Sequence, residues 1–330
     1  MILVTGATGH IGNVLVRKLL DRGEETRALV WRGEDASSIQ GLDVETVEGD
    51  VLEPESLKSA FQDVDRVFHL AGLISILPGQ NPLVWRINVE GTRNVLAQAR
   101  RSGVKRLVYT SSIHAISRAT HGVVIDEALP FDPDNPYGEY DRSKAMASLE
   151  VQKAAREGLD AVIVCPTGVI GPGDYRHSEM GEVIHDAAVG RVMYYVEGAY
   201  DFVDVRDVCD GLILAEEKGR PGESYILSGH KISVRHLLDR VKRVTGKTFK
   251  RIKIPFGLAE LAANVTPFYY RLTKSKPRFT SYSLEVLRSN SDISHAKATR
   301  ELGYRPRSLQ ETIADTVKWF LEPRAVPVVV

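Results

Sequence analysis

Ile2-Leu3-Val4-Thr5-Gly6-Ala7-Thr8-Gly9-His10-Ile11-Gly12 opens the chain and decides its reading. A short apolar run enters a glycine-punctuated turn. The turn then enters apolar residues at helical spacing, Ile11, Leu15, Val16, Leu19 and Leu20. Glycines let a backbone come close to a pyrophosphate, and a helix N-terminus offers it N–H groups and a favourable dipole. The spacing is G-x-x-G-x-x-G, one residue wider than the G-x-G-x-x-G fingerprint. Strand, turn and helix stand in the right order. Gly6, Thr8, Gly9, His10, Ile11 and Gly12 are therefore expected to hold a dinucleotide.

Working outward, the alternation continues. Residues 26–30, 44–47, 66–70, 107–110 and 161–165 read as strands. Residues 53–61, 84–99 and 146–156 read as helices between them. Strands alternating with helices imply right-handed βαβ units and a parallel sheet covered on both faces. The expected class is α/β, a Rossmann-type doubly wound sheet with a smaller C-terminal α/β substrate-binding region. The rhythm breaks near Gly171-Pro172-Gly173. Beyond it, 194–196 and 225–227 read as short strands, and 205–217, 234–245 and 308–321 as helices. Residues 268–290 read as irregular and 323–330 as a frayed tail. Residues 1–170 are the expected dinucleotide-binding domain, with about 200–218 also joining it. Residues 171–330 are mainly the substrate region.

Composition narrows the class. The 330 residues carry 43 Lys+Arg and 43 Asp+Glu, and this zero formal charge argues against a nucleic-acid partner. No apolar run reaches the ~20 residues that span a bilayer. Two cysteines, Cys165 and Cys209, make no disulfide framework. The N-terminus has no basic n-region, so no signal peptide is expected. A cytoplasmic enzyme acting on a small molecule is the leading class, with no metal site expected.

The end of the second strand chooses the cofactor. About 20 residues past the glycine loop, a carboxylate would hold the adenosine ribose 2′-hydroxyl. Here that place reads Trp31-Arg32. Arg32 can pair with a 2′-phosphate through its planar fork, and Trp31 can flank the adenine. NADP(H) is favoured on that ground and NAD(H) stays open, because Glu34 and Asp35 lie close enough to reverse the preference.

Tyr140 and Lys144 stand four residues apart, on one face of a helix. A free tyrosine, pKa about 10, is a poor base near neutral pH. A nearby ammonium and a cationic nicotinamide would favour its phenolate and suit it to proton exchange with a carbinol or carbonyl oxygen. Tyr-x-x-x-Lys alone arises often by chance. Tyr109-Thr110-Ser111-Ser112 supports it, standing after a buried strand, where a serine can hydrogen-bond the reacting oxygen. Asn88 offers an amide on the intervening helix.

These motifs together resemble the extended short-chain dehydrogenase/reductase family, the NAD-dependent epimerase/dehydratase family, over nearly the whole chain. Gly49-Asp50-Val51, His69-Leu70-Ala71-Gly72, Asn88-Val89-Glu90-Gly91-Thr92, Cys165-Pro166-Thr167-Gly168-Val169 and Phe202-Val203-Asp204 extend the match. The pattern is most similar to the dihydroflavonol reductase-like and 3β-hydroxysteroid dehydrogenase-like branch. The resemblance implies that Asp50 and Val51 contact the adenine, and that Leu70, Ala71 and Gly72 line the ribose and pyrophosphate. It implies that Lys144 holds the nicotinamide ribose and that Tyr140 exchanges the proton. Ser112 is the catalytic serine, while Ser111 braces the loop. Pro166, and Val169 in the backbone that follows, lie near the nicotinamide amide. Asn88, Thr110 and Ser111 count with the cofactor-binding set.

Ser111-Ser112-Ile113-His114 lacks the acidic pair of dehydratases. Ketone or activated-carbonyl reduction, or secondary-alcohol oxidation, is the expected reaction. An epimerase using tightly bound NAD is the alternative, and a non-catalytic dinucleotide sensor a further one. His114 is expected to be an ordinary loop histidine. Residues 74–85, 175–180, 194–200 and 268–270 are candidate pocket walls, and Arg271, Lys274 and Lys276 candidate phosphate contacts. The resemblance also implies a possible homodimer, through residues 89–101 and 144–156.

Overall fold

β1 (Ile2–Thr5) leads through the glycine turn into α1 (His10–Asp21) in a computed structural model that describes residues 1–75, 80–262 and 280–322. β2 (Thr26–Val30) and β3 (Glu45–Glu48) follow, then α2 (Pro54–Ala60), β4 (Arg66–His69) and β5 (Arg106–Thr110). Between β4 and β5 lie α3 (Pro82–Trp85), a π-turn over Arg86–Glu90, and α4 (Gly91–Arg101). α5 (Glu139–Arg156) and β6 (Ala161–Pro166) complete the regular half. The seven-stranded sheet runs β10-β6-β5-β4-β1-β2-β3, where β10 is Ser224–Leu227, and every pairing is parallel.

That order reverses between β1 and β4. The loops after these two strands therefore splay apart and leave a crevice at their carboxyl ends. The strands alternate their side chains between two apolar layers. Leu3, Val67 and Leu107 meet Leu57, Val95, Leu96 and Val151 on one face. Ile2, Val4, Phe68 and Val108 meet Val14, Leu15, Leu19, Val208 and Leu212 on the other. The helices are pinned by burial on both sides, so strand ends and helix starts are held where ligands arrive.

The second half builds smaller pieces. β7 (Gly168–Ile170) leaves the main sheet and pairs with β9 (Ala199–Asp204), which also pairs with β11 (His230–Ser233). α6 (Glu179–Val189), β8 (Met193–Tyr195), α7 (Val205–Lys218), α8 (Val234–Thr245) and β12 (Arg251–Lys253) follow the chain, with β12 pairing β8. A helical stretch over 256–262, α9, precedes α10 (Ser281–Arg288), α11 (Ala296–Leu302) and α12 (Leu309–Leu321).

Three expectations need correction. Residues 281–288 are helical, not irregular. The Thr280 side chain accepts the Ser283 N–H at 3.1 Å while the Ser283 hydroxyl accepts the Thr280 N–H at 2.9 Å, a capping box that starts the helix. The helix carrying Tyr140 begins at Glu139 rather than at 146, and the one expected over 84–99 is interrupted by the π-turn. β6 and α7 are met much as expected, but β7, α6, β9, β11, β12 and α11 had no forecast. The candidates Phe268, Tyr269, Tyr270, Arg271, Lys274 and Lys276, part of 74–85 and the tail 323–330 lie outside the described residues. Cys165 and Cys209 are buried and free. Among the described residues no helix is long and apolar enough to cross a membrane.

Candidate active site

The glycine turn fits a dinucleotide by space and by polarity. Gly6 sits at φ +69°, and a Cβ there would lie 2.7 Å from the Ala71 nitrogen on the β4 side of the crevice. A Cβ on Gly12 would lie 2.1 Å from the Gly6 carbonyl oxygen. Only hydrogens fill this cradle. α1 starts at Gly9 with no side-chain cap and no acid in its first turn, so its N–H groups face outward for an anion. Asn13 backs the turn, donating to Gly9, His10 and Gly173 carbonyls. His10 turns its ring to the Pro172 carbonyl (3.1 Å), and burial pushes its pKa down.

Beneath the crevice a buried chain of hydrogen bonds ties β1 to β4 and to the π-turn. Ala71 N donates to Thr5 Oγ1 at 3.1 Å, and Thr5 Oγ1 meets His69 Nδ1 at 2.7 Å. His69 Nε2 meets Thr92 Oγ1 at 3.0 Å, and that hydroxyl donates to the Asn88 carbonyl. The Thr92 proton is committed, so His69 must donate through Nε2 and accept through Nδ1. Burial holds its pKa at about 3. Below pH ~6.5 the unfolded chain takes up a proton that the folded His69 refuses, so stability falls by about 1.4 kcal/mol per pH unit. Urea unfolding at pH 6.5 and 5.0 checks this. The wild type should lose about 2 kcal/mol more than His69→Gln between these values; equal losses would refute the assignment.

The proton-transfer candidates come together. Ser112 ends the β5 loop, and Tyr140 and Lys144 lie one turn apart at the start of α5, all three buried. Lys144 Nζ donates to the Thr110 carbonyl at 2.7 Å and lies 4.9 Å above the Tyr109 ring. Burial pulls its pKa down to about 8. Tyr140 is pushed up to about 12 by burial, with the Ser112 hydroxyl pulling the other way. In the protein without cofactor the ammonium is turned to Thr110 and desolvation sets the direction, whereas the expected lowering concerns the site with a cationic nicotinamide bound. The phenol is held in its proton-donating form. Thr110 Oγ1 is buried with no hydrogen-bond partner among the described residues, a polar atom left available to a ligand beside Lys144.

The supporting candidates are placed as follows. Ser111 Oγ meets Ser148 Oγ at 2.6 Å and so ties β5 to α5. Asn88 donates to the Leu73 carbonyl (3.1 Å) and to Ser143 Oγ (2.9 Å). Both its amide protons are committed, so it shapes the 70–75 loop beside the site. Asp50 accepts from Leu52 N, and Val51 packs under Gly91. Leu70, Ala71 and Gly72 follow β4. Pro166 ends β6, and Val169 is registered on Val203. Trp31 is exposed, and Arg32, 86% exposed, pairs Glu48 at 2.7 Å.

His114 is not an ordinary loop residue. Its partly buried ring stacks on Tyr200 at 5.9 Å and meets Tyr140 edge-on at 6.3 Å. Its Nε2 lies 2.9 Å from Tyr200 Oη and its Nδ1 3.8 Å from Asp141 Oδ2. Tyr282 donates to Asp141 Oδ1 at 2.6 Å, and Arg118 pairs Oδ2 at 3.3 Å. Burial lowers the histidine pKa, opposed by Asp141. Tyr200 comes from β9 and Tyr282 from α10, so no local spacing could have announced them. Two other aromatics have different places: Tyr194 is exposed, and Tyr175 packs edge-on against Trp319 at 5.3 Å.

A second feature lies above the glycine turn, where Glu34, expected only as a carboxylate near the ribose end of β2, gains distant partners. The Glu34 carboxylate accepts from Thr8 Oγ1 (2.7 Å), Trp31 N (3.1 Å) and Arg176 Nη2 (2.5 Å). Arg176 also donates to Thr8 Oγ1 at 2.8 Å. Three donors from three separate segments thus converge on one anionic group.

Comparison with known proteins agrees with this architecture. A model of the NAD dependent epimerase/dehydratase family matches residues 2–228. "Sterol demethylase protein B" of Methylococcus capsulatus is 38% identical, over 97% of this chain and 98% of its own. A ketoreductase of Stigmatella aurantiaca, acting on a 4-hydroxy-2-methyl-3-oxo-4-farnesyl-3,4-dihydroquinoline-1-oxide by its name, is 30% identical, over 96% and 95%. Dihydroflavonol reductase-like and 3β-hydroxysteroid dehydrogenase-like proteins are also among the relatives. The crystal structure of gox2253 superposes with a TM-score of 0.84 at 34% identity, over 97% of each chain.

Proposed function

The chain belongs to the NAD dependent epimerase/dehydratase family, and from that premise we propose that it is a carbonyl reductase or secondary-alcohol dehydrogenase. The observation that carries this reading is Tyr140, buried and protonated beside Ser112, at the carboxyl end of β5. The dinucleotide, when bound, supplies or accepts hydride. The protein's part is acid–base and positional. Ser112 Oγ hydrogen-bonds the substrate oxygen, and Tyr140 Oη gives that oxygen a proton in reduction and takes it back in oxidation. In this reading Lys144 holds the nicotinamide ribose. Relatives named as reductases and dehydrogenases support redox chemistry at a ketone or secondary alcohol. No carboxylate follows Ser112, and Asp141 is already engaged by Tyr282 and Arg118, so the extra base that dehydration needs has no source there. Residues 1–170 with 200–218 bind the dinucleotide in this reading, and 171–330 mainly bind substrate. A homodimer through α4 and α5 belongs to the same reading.

We also propose NADP(H) as the cofactor. The Glu34 carboxylate occupies a ready anion site made by Thr8, Trp31 N–H and Arg176. A 2′-phosphate can take those donors when Glu34 swings out, with Arg32 on the open side. Titration calorimetry with NADPH and NADH tests both proposals together with a ketone screen. Arg176→Ala should weaken NADPH by about tenfold or more and leave NADH nearly unchanged. Glu34→Ala should tighten NADPH. If NADH binds better and Glu34→Ala abolishes it, Glu34 holds an unphosphorylated ribose instead. Tight NAD that resists stripping, with turnover of nucleotide sugars and none of ketones, would turn the reading to the epimerase.

A further inference from the structure

The chain is neutral as a whole, but its charge is not evenly spread. Residues 231–253 carry nine Lys and Arg and one carboxylate, Asp239, so the remaining 307 residues bear a formal −8. The basic segment spans β11, α8 and β12. α8 buries Leu237, Leu238 and Val241 and leaves Arg235, His236, Lys242 and Arg243 exposed. Asp239 is taken by Arg251, and Lys253 reaches Glu197 at 3.1 Å. Among the described residues the other seven cations make no ion pair, so their charge is unneutralised.

Exposed apolar side chains continue the same stretch of structure. β12 pairs β8, which presents Tyr194 (55% exposed) after Val192 (47%). α9 packs Ala259 inward against Val196 and Leu284 and leaves Leu258 (60%) and Leu261 (64%) in solvent. Single exposed aliphatics are ordinary. Three of them with Tyr194, next to an unpaired cationic segment, form the two-part signature of a surface that rests on a charged interface.

We propose that the α8–β12–α9 region is a docking surface for an anionic lipid bilayer. The cations meet lipid phosphates, while Leu258, Leu261 and Tyr194 enter the headgroup layer. Nucleic acid would satisfy the cations but offers the aliphatic pair no apolar layer. A bilayer satisfies both. The surface is peripheral and involves no spanning helix. It includes none of the residues assigned to proton transfer or dinucleotide binding, so the proposal stands or falls apart from the reaction.

Co-sedimentation of the whole protein with vesicles tests it. Vesicles of phosphatidylcholine alone are compared with phosphatidylcholine mixed with phosphatidylglycerol, at low and high salt. Binding is expected only to the mixed vesicles and is expected to fall steeply with salt. The quadruple variant Lys242→Glu, Arg243→Glu, Lys247→Glu, Lys250→Glu should lower partitioning by about 10²–10³-fold. Leu258→Asp with Leu261→Asp should lower it by about tenfold or more. Unchanged dinucleotide affinity shows that each variant is folded, and the wild-type salt dependence gives a readout that needs no variant. Absence of binding to mixed vesicles at low salt overturns the proposal. So does binding that neither variant weakens, and so does duplex DNA that binds more tightly than the vesicles.

Discussion

Tyr140→Phe should lower kcat by about 10²–10⁴-fold and leave dinucleotide affinity and folding unchanged, which is the range a positioned general acid contributes. The substitution removes one oxygen from a buried ring. The ring keeps its packing against His114, and the lost hydroxyl has Ser112 as its neighbour. The protein should lose little stability, since Ser112 also accepts the His114 N–H at 3.2 Å. Steady-state kinetics on any substrate found by screening, with calorimetry for the dinucleotide, make the comparison. A variant that retains more than about a tenth of wild-type turnover would exclude Tyr140 as the proton-transfer group. Loss of dinucleotide binding in the same variant would instead make it a structural residue.

Lys144→Met should produce opposite changes in activity and stability. Turnover and dinucleotide affinity should both fall, because the ammonium is the group proposed to hold the nicotinamide ribose. Stability at pH 7 should rise. Lys144 is 95% shielded from solvent, and its pKa of about 8 lies below the ordinary lysine value of 10.5. Between these values the unfolded chain binds a proton that the folded chain does not. Wild-type stability therefore climbs with pH across that window, by about 3 kcal/mol in all, and the full penalty applies below pH 8. Methionine fills similar space without charge. It also strips the Thr110 carbonyl of its donor, costing about 1–2 kcal/mol. The net expectation is a gain of about 1–2 kcal/mol at pH 7, gone by pH 10. Denaturant melts at both pH values decide it. A loss of stability at pH 7 would mean that the buried ammonium is better solvated than its surroundings suggest.

The same burial raises Tyr140 and lowers Lys144. Burial disfavours the charged form of each group: Tyr140 stays a neutral phenol, while Lys144, with a pKa of about 8, is still mostly an ammonium at pH 7. Such paired displacement of titratable groups marks functional sites more often than packing errors. A cationic nicotinamide and a polarised substrate oxygen would change that balance, so the cofactor and substrate set the working protonation state.

The division between what was readable and what was not follows the reach of local rules. Residues 2–12 determine a strand, a turn and a helix because glycine geometry and helical spacing act over a few positions. The same reach covers Tyr140 and Lys144, one helical turn apart, and the serines at the end of β5. It places the helix of residues 234–245, whose apolar face repeats at helical spacing. The short strands of the second half, such as Gly168–Ile170 and Arg251–Lys253, escape it because three residues carry no period and their partners lie far along the chain. His114 looks unremarkable in sequence because its meaning depends on Tyr200, Asp141 and Tyr282, which reach it from β9, α5 and α10. Sequence offers Glu34 only as a carboxylate near the ribose, and its pairing with Arg176, 142 residues away, appears only in the folded chain. The upward shift of Tyr140 in the protein without cofactor was hidden for the same reason. A linear sequence shows that a lysine is near, but only tertiary structure shows that it is turned to Thr110 and that both groups are buried. Sequence by itself determined the alternation of strands and helices in the first half and the residue types that carry the chemistry. Burial and long-range convergence, which set protonation and complete the anion site, are properties of the folded chain alone.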